Sequence, residues 1–409
     1  MAESSSIKRR NGTREGVCSV IDYQSILNEE VQKIKPSGIR RFFDIANEMD
    51  HVISLSIGEP DFTTPWHVRQ EGIRTLEDGK TWYSPNRGFM ELREEISRWL
   101  KRRYHTEYDP KTELLVTVGG SEAIDLCIRS LVKPGEEVLI PQPSFVCYEP
   151  LTEMAHGVPV IIETKQEDQF RLNPQALREK ITPKTKLLIL PFPNNPTGAV
   201  MRREHLKEIA KVVEEFNLMV LSDEIYSELT YGDTRHVSFA AIDGMKERTI
   251  VVNGFSKAFA MTGWRLGYAA GPKEIIAQMT KLHQYGIMSA PTMAQYAATE
   301  AMKNGDSDID EMREQYDMRR RLIVSGFNSM GLTCFEPEGA FYVFPCIKST
   351  GLSSEEFCEK LLYAEHVAVV PGNAFGACGE GYIRVSYSYS IKHITEALSR
   401  IEHFINSLS

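Results

Sequence analysis

The sequence predicts an α/β protein: a large domain with a mostly parallel sheet between helices, and a smaller domain of helices on a small sheet. Three observations carry that reading. Between about residues 50 and 290, short apolar runs alternate with amphipathic helical stretches, the pattern of strands joined by helical crossovers. From about residue 291 the rhythm changes to one long helical stretch followed by shorter pieces. Hydrophobic residues make up 42% and charged residues 25% of 409 positions, which is globular and enough chain for two domains with sizeable cores.

The elements follow in order. Residues 1–22 are expected to form a flexible leader, polar and without the apolar stretch of a secretory signal. Residues 24–48 read as helical pieces, broken near Lys35-Pro36-Ser37-Gly38. Strands are expected over Leu114–Val118, Glu137–Ile140, Val158–Glu163, Lys186–Leu190, Leu218–Ser222, Thr249–Val252 and Leu266–Ala270. Glu122–Leu131 and Arg203–Phe216 carry helical periodicity. The late helical stretch spans Met293–Met330, interrupted at Asn304-Gly305-Asp306.

Composition excludes several classes. The net charge of −9 offers no electrostatic footprint for nucleic acid or an anionic membrane. No segment reaches the roughly 18 apolar residues of a spanning helix. The seven cysteines are scattered, with no CxxC pair. A disulfide framework or a metal site is not expected, and a reducing, cytoplasmic setting is.

A mostly parallel sheet carries its chemistry in the loops after its strands. After the first, Gly119-Gly120-Ser121-Glu122 turns into a helix, whose free N–H groups suit a phosphate; the same turn also serves as a plain strand-to-helix connection. Neither GxGxxG nor GxxxxGK[ST] is present. Another strand ends in Pro191-Phe192-Pro193-Asn194-Asn195-Pro196-Thr197-Gly198, where Asn195 can aim a donor at a ligand or merely stabilise a turn. Asp223 ends an apolar strand, as an ion-pair member or as a site carboxylate that needs donors or a cation. Lys257 follows a further strand among small and apolar residues, with Arg265 eight positions on. One lysine alone is usually a surface charge, but burial or a nearby cation makes a lysine nucleophilic. One ligand accounts for the whole set. Pyridoxal 5′-phosphate demands a lysine for its aldehyde, a carboxylate for its ring nitrogen, donors for its phenolate and a phosphate cup.

The run Gly254-Phe255-Ser256-Lys257-Ala258-Phe259-Ala260-Met261-Thr262-Gly263-Trp264-Arg265-Leu266-Gly267 fits a lysine-site signature at every constrained position. Ser56-Ile57-Gly58-Glu59-Pro60-Asp61, Tyr83-Ser84-Pro85-Asn86-Arg87-Gly88, Asn194-Asn195-Pro196-Thr197-Gly198, Asp223-Glu224-Ile225-Tyr226 and Tyr382-Ile383-Arg384-Val385-Ser386 follow the same family's order. The chain resembles the class I/II aminotransferases of the fold-type I pyridoxal-phosphate enzymes over about residues 35–405, nearest the acetyl-diaminopimelate, alanine and aromatic aminotransferase branch.

The resemblance implies roles. Lys257 matches the lysine that binds the aldehyde and shuttles the proton, and Asp223 the partner of the ring nitrogen. Tyr226 and Asn195 match donors to the phenolate oxygen, and Phe145 the aromatic stacked on the ring. Gly120, Ser121, Glu122, Ser256 and Arg265 match the phosphate cup. Tyr83 matches a residue reaching the neighbouring subunit's phosphate, which implies a homodimer with shared sites. Arg384 matches the fork for the substrate α-carboxylate, a task for which a guanidinium is suited; on a strand it shares a face with Tyr382 and Ser386. Gly58, without a Cβ, lets its segment approach the substrate. Residues 23–55 are expected to pack with the small domain, 56–292 to form the cofactor-binding domain and 293–409 the small one.

The implied reaction moves an amino group from an L-amino acid to a 2-oxo acid, with 2-oxoglutarate expected, in two half-reactions. A C–S β-lyase on the same scaffold is the alternative. A transcriptional regulator of this fold would need a DNA-binding domain, for which about twenty polar leading residues do not suffice. No arginine lies between Arg265 and Arg313, and Ser121 stands where one branch has lysine. Aspartate is therefore not expected to be strongly preferred; Lys281 and His283 are the nearest basic substitutes for a side-chain carboxylate site.

Overall fold

A computed structural model describes residues 21–34, 36, 38 and 49–408. These fall into two units, one ending at residue 35 and one beginning at residue 36. In the first, Asp22 caps the turn Tyr23–Ile26 and Asn28 caps the helix Glu29–Lys33, each side chain accepting a backbone N–H. The expected helical continuation over 39–48 and the leader up to residue 20 lie outside the described residues.

The first strand among the described residues of the second unit is β1 (Ile53–Ser54). Its main sheet holds β2 (Leu114–Thr117), β3 (Glu137–Gln142), β4 (Val158–Glu163), β5 (Thr185–Leu190), β6 (Met219–Asp223), β7 (Thr249–Gly254) and β8 (Gly267–Ala270), in the order β2-β8-β7-β6-β5-β3-β4. Neighbours are parallel except β8, which runs antiparallel to both β2 and β7. Every residue of β2, β7 and β8 is buried, as a sheet covered on both faces requires. Helix Gly119–Leu131 turns Ala123, Ile124, Cys127 and Ile128 inward, and helix Arg203–Glu215 turns Leu206, Ile209, Ala210 and Val213 inward. These are the i, i+3, i+4 stripes that made both legible.

The late helical stretch is two helices, Thr292–Asn304 and Asp306–Ser329. Gly305 lies between them, where a Cβ would stand 2.6 Å from the Ala301 carbonyl oxygen and 2.8 Å from Phe259. Thr292–Asn304 packs along Trp66–Glu77 and Met90–Tyr104. Beyond it, β9 (Tyr342–Val343), β10 (Val367–Ala368), β11 (Val370–Pro371) and β12 (Ile383–Ser386) form two small sheets. β12 lies between β11 and β9, antiparallel to both, and β1 joins β10 in parallel. A core containing Tyr316, Ile323, Phe327, Phe341, Val385 and Ile401 underlies them. No helix among the described residues is long and apolar enough to cross a membrane.

Candidate active site

A cavity of about 360 Å³ opens beyond the C-terminal ends of β5, β6 and β7. At one end, β2 runs into helix Gly119–Leu131, whose first N–H groups (Gly119, Gly120, Ser121) have no intrahelical acceptor. Gly119 has φ +77° and Arg265 φ +55°. A Cβ on Gly119 would lie 2.6 Å from Arg265 Nη2, and one on Gly267 would lie 2.6 Å from the Gly120 nitrogen. Two bare backbones therefore let the guanidinium lie against the helix start. Gly120, Ser121, Ser256 and Arg265 all line the cavity at this anion-ready end.

Glu122 departs from expectation. Its carboxylate does not line the cavity but turns back. Oε2 accepts the Val118 N–H at 2.5 Å, and Oε1 lies 2.7 Å from Nδ1 of the fully buried His283. A carboxylate aimed at a phosphate would repel it; here the charge is spent on the helix start and the histidine. His283 is thereby also removed as a binder of a substrate carboxylate. Lys281 is bonded to Gln278 at 2.9 Å and does not line the cavity either.

Lys257 follows β7 and donates from Nζ to the Gly58 carbonyl at 2.6 Å. Burial pulls its pKa down to about 8, with Arg384 and Arg265 adding to the fall and Glu59 opposing it. The fall favours the neutral, nucleophilic amine relative to an exposed lysine. A Cβ on Gly58 would lie 2.2 Å from the Tyr342 hydroxyl oxygen, so a larger residue there would have to displace that tyrosine.

Asp223 ends β6 and is buried. Tyr148 donates to Oδ2 at 2.7 Å and the Ile225 N–H to Oδ1 at 3.2 Å. Burial nonetheless pushes its pKa up to about 6. Phe145 lines the cavity and meets Tyr148 edge-on, with centroids 6.1 Å apart. Tyr226 Oη lies 2.9 Å from Tyr342 Oη.

Arg384, on β12, is 2% exposed. It donates to the Ser56 carbonyl and, at 3.2 Å, to Asn195 Oδ1. Its guanidinium carbon lies 4.6 Å from the Tyr342 ring and 4.9 Å from Phe375. Its Nε has no hydrogen-bond partner among the described residues. Tyr83 does not line this chain's own cavity and is 76% exposed.

Sequence reasoning missed Tyr148 and Tyr342. Tyr148 had a signal, lying three positions after Phe145 at the start of the helix Tyr148–Met154. Tyr342 had none in its own spacing, since what it touches comes from other parts of the chain.

The family model for aminotransferases of class I and II matches residues 50–401. The chain is a class I/II aminotransferase. This aminotransferase is 53% identical over 382 residues to a putative aminotransferase of Bacillus subtilis, covering 93% of this chain and 99% of the relative. It is 48% identical to an aspartate aminotransferase of Pyrococcus abyssi, covering 92% and 97%. The solved aromatic aminotransferase of Pyrococcus horikoshii superposes with a TM-score of 0.86 at 48% identity, covering 90% and 99%. As in its family, the cofactor is pyridoxal 5′-phosphate, and the donor set fits it. One cavity holds a lysine with a lowered pKa, a buried carboxylate to which no cation among the described residues is bonded, an aromatic wall, and a helix start joined by a guanidinium. A positively charged ring nitrogen would relieve the burial that raises Asp223.

Proposed function

We propose that this aminotransferase moves the α-amino group of an L-amino acid to a 2-oxo acid, 2-oxoglutarate, in two half-reactions. The observation that carries the reading is that the Lys257 amine, the Asp223 carboxylate and the Arg384 guanidinium line one cavity. When bound, pyridoxal phosphate supplies an aldehyde that takes up amino groups and a ring that withdraws electrons. The protein does the rest. The N–H groups of Gly120 and Ser121, the Ser256 hydroxyl and Arg265 take the phosphate. Phe145 covers the ring, and Asp223 keeps the ring nitrogen protonated. Tyr226 donates its O–H to the phenolate oxygen. Asn195 donates from its NH₂, because its oxygen is turned to Arg384. Lys257 holds the aldehyde and moves the α-proton on Nζ. Arg384 forks the α-carboxylate shared by donor and acceptor, and Gly58 leaves room for the substrate.

We assign residues 56–292 to cofactor binding and residues 293–409, joined by β1 through its pairing with β10, to the smaller domain. The exposed Tyr83 reaches the phosphate of a second copy, so that a homodimer shares its sites. The free state of the described cysteines supports a cytoplasmic setting. The relatives compared above are named as aminotransferases, which does not favour the C–S lyase alternative.

The cations lining the cavity are Lys257, Arg265 and Arg384. The first two serve the cofactor and the third the α-carboxylate. Among the described cavity residues none is left for a second carboxylate. A panel of amino acids with 2-oxoglutarate tests this. The kcat/KM for aspartate should not exceed that for alanine or the aromatic amino acids by more than about a hundredfold, roughly 2.7 kcal/mol. A larger ratio would mean a side-chain carboxylate site supplied from elsewhere.

Asp223→Ala removes the fixed anion facing the ring nitrogen. The rate of α-proton removal is expected to fall by about 10²–10³-fold, with substrate binding changed little. Single-turnover kinetics check this, and unchanged half-reaction rates would refute the role.

A further inference from the structure

Tyr342 touches three of the groups given work above. Its hydroxyl lies 2.9 Å from that of Tyr226. The face of its ring lies 4.6 Å below the Arg384 guanidinium carbon. Its hydroxyl also occupies the place a Gly58 Cβ would need. The backbone explains the convergence. Tyr342 on β9 pairs with Ser386 on β12, so Arg384 is its diagonal neighbour on the same sheet face, within reach of long side chains. Phe341 packs on the Tyr342 ring at 4.8 Å and on the Tyr226 ring at 5.4 Å, at 89°, which fixes both rings.

Other buried tyrosines of this core use their hydroxyls differently. Tyr231 and Tyr387 both donate to the Ala340 carbonyl, tying down a turn. Tyr342 spends its hydroxyl on a cavity-lining phenol instead. A buried hydroxyl needs a partner, but any backbone carbonyl would supply one.

We infer that Tyr342 is a positioning residue with two separable tasks. Its hydroxyl holds the Tyr226 phenol in the orientation from which Tyr226 donates, and its ring holds the Arg384 guanidinium flat for the substrate carboxylate. The inference rests on the roles given to Tyr226 and Arg384 under Proposed function. It adds a cavity-lining residue that acts through Tyr226 and Arg384. The two tasks use different parts of one side chain, so different substitutions separate them.

The test compares Tyr342→Phe, Tyr342→Leu and Tyr226→Phe as holoenzymes. The pH titration of the bound cofactor's visible absorbance reports on Tyr226. The dissociation constant of 3-phenylpropanoate, a carboxylate without an amino group, reports on Arg384. Tyr342→Phe keeps the ring and loses the hydroxyl. It should move the titration midpoint in the same direction as Tyr226→Phe and slow the half-reaction about tenfold. Its carboxylate affinity should stay within about twofold of wild type. Tyr342→Leu should in addition weaken carboxylate binding by about tenfold or more, because a desolvated cation loses its aromatic face. Thermal melting shows whether the leucine variant folds; if it does not, the phenylalanine variant still decides the hydroxyl's task. A silent Tyr342→Phe beside an effective Tyr226→Phe overturns the inference and leaves the role of Tyr226 standing. Leucine and phenylalanine variants with equal carboxylate affinity overturn the ring's task. A silent Tyr226→Phe overturns the underlying reading, and this inference with it.

Discussion

Replacing Lys257 with alanine is expected to abolish transamination and leave the fold intact. The lysine stands at the end of β7 inside the cavity, and its hydrogen bond is to the Gly58 carbonyl. Its amine lies over the rings of Tyr226 and Phe341, 5.8 Å and 5.6 Å from their centroids, on the cavity side of a core whose apolar side chains the truncation leaves in place. The chemistry loses both the group that binds the aldehyde and the group that carries the α-proton. A missing general base alone costs roughly 10²–10⁴-fold, and loss of the covalent anchor comes on top. The melting temperature should stay near wild type while half-reactions with any amino donor become undetectable. Borohydride should fix the cofactor to the wild-type peptide containing Lys257, and fixation on any other lysine would overturn the assignment.

Arg384→Lys has the next largest expected effect. The change preserves charge, yet a lysine cannot reproduce a planar fork that reaches the Ser56 carbonyl and Asn195 at once between the rings of Tyr342 and Phe375. With the arginine 2% exposed, water cannot compensate. The loss in kcat/KM should be about 2–5 kcal/mol, as for a broken buried charge pair. It should be similar for amino donor and oxo acceptor, since both present the same carboxylate. A loss confined to one of the two would show that Arg384 reads the side chain instead.

The parallel sheet was legible because each strand is a short apolar run bounded by polar turns, and buried parallel strands have that signature. Val158–Glu163 begins and ends where the pattern does. Lys257 and Asp223 were legible for a related reason: each follows or ends a strand of the main sheet, and strand ends of one sheet converge; Arg384, on a strand of another sheet, was legible through the family resemblance. What the sequence hid are contacts between residues far apart in the chain. Glu122 and His283 are separated by 161 positions, and Tyr226 and Tyr342 by 116. No local periodicity encodes such pairs. The resemblance put Glu122 in the phosphate cup, whereas its side chain is placed by a histidine on a helix packed alongside.

The reversed direction of β8 bears on how the site keeps its dimensions. Because β8 returns antiparallel beside β7, with Gly254 opposite Gly267, Lys257 and Arg265 lie on one closed loop rather than on two strands arriving separately. The span between the anchor for the aldehyde and the anchor for the phosphate is thus measured out by a local ruler, pinned at its base by two glycines. Small shifts elsewhere in the sheet leave that ruler unchanged. Arg384 belongs to a different sheet, so substitutions that adjust the grip on the substrate can accumulate around it without resetting the gauge for the cofactor.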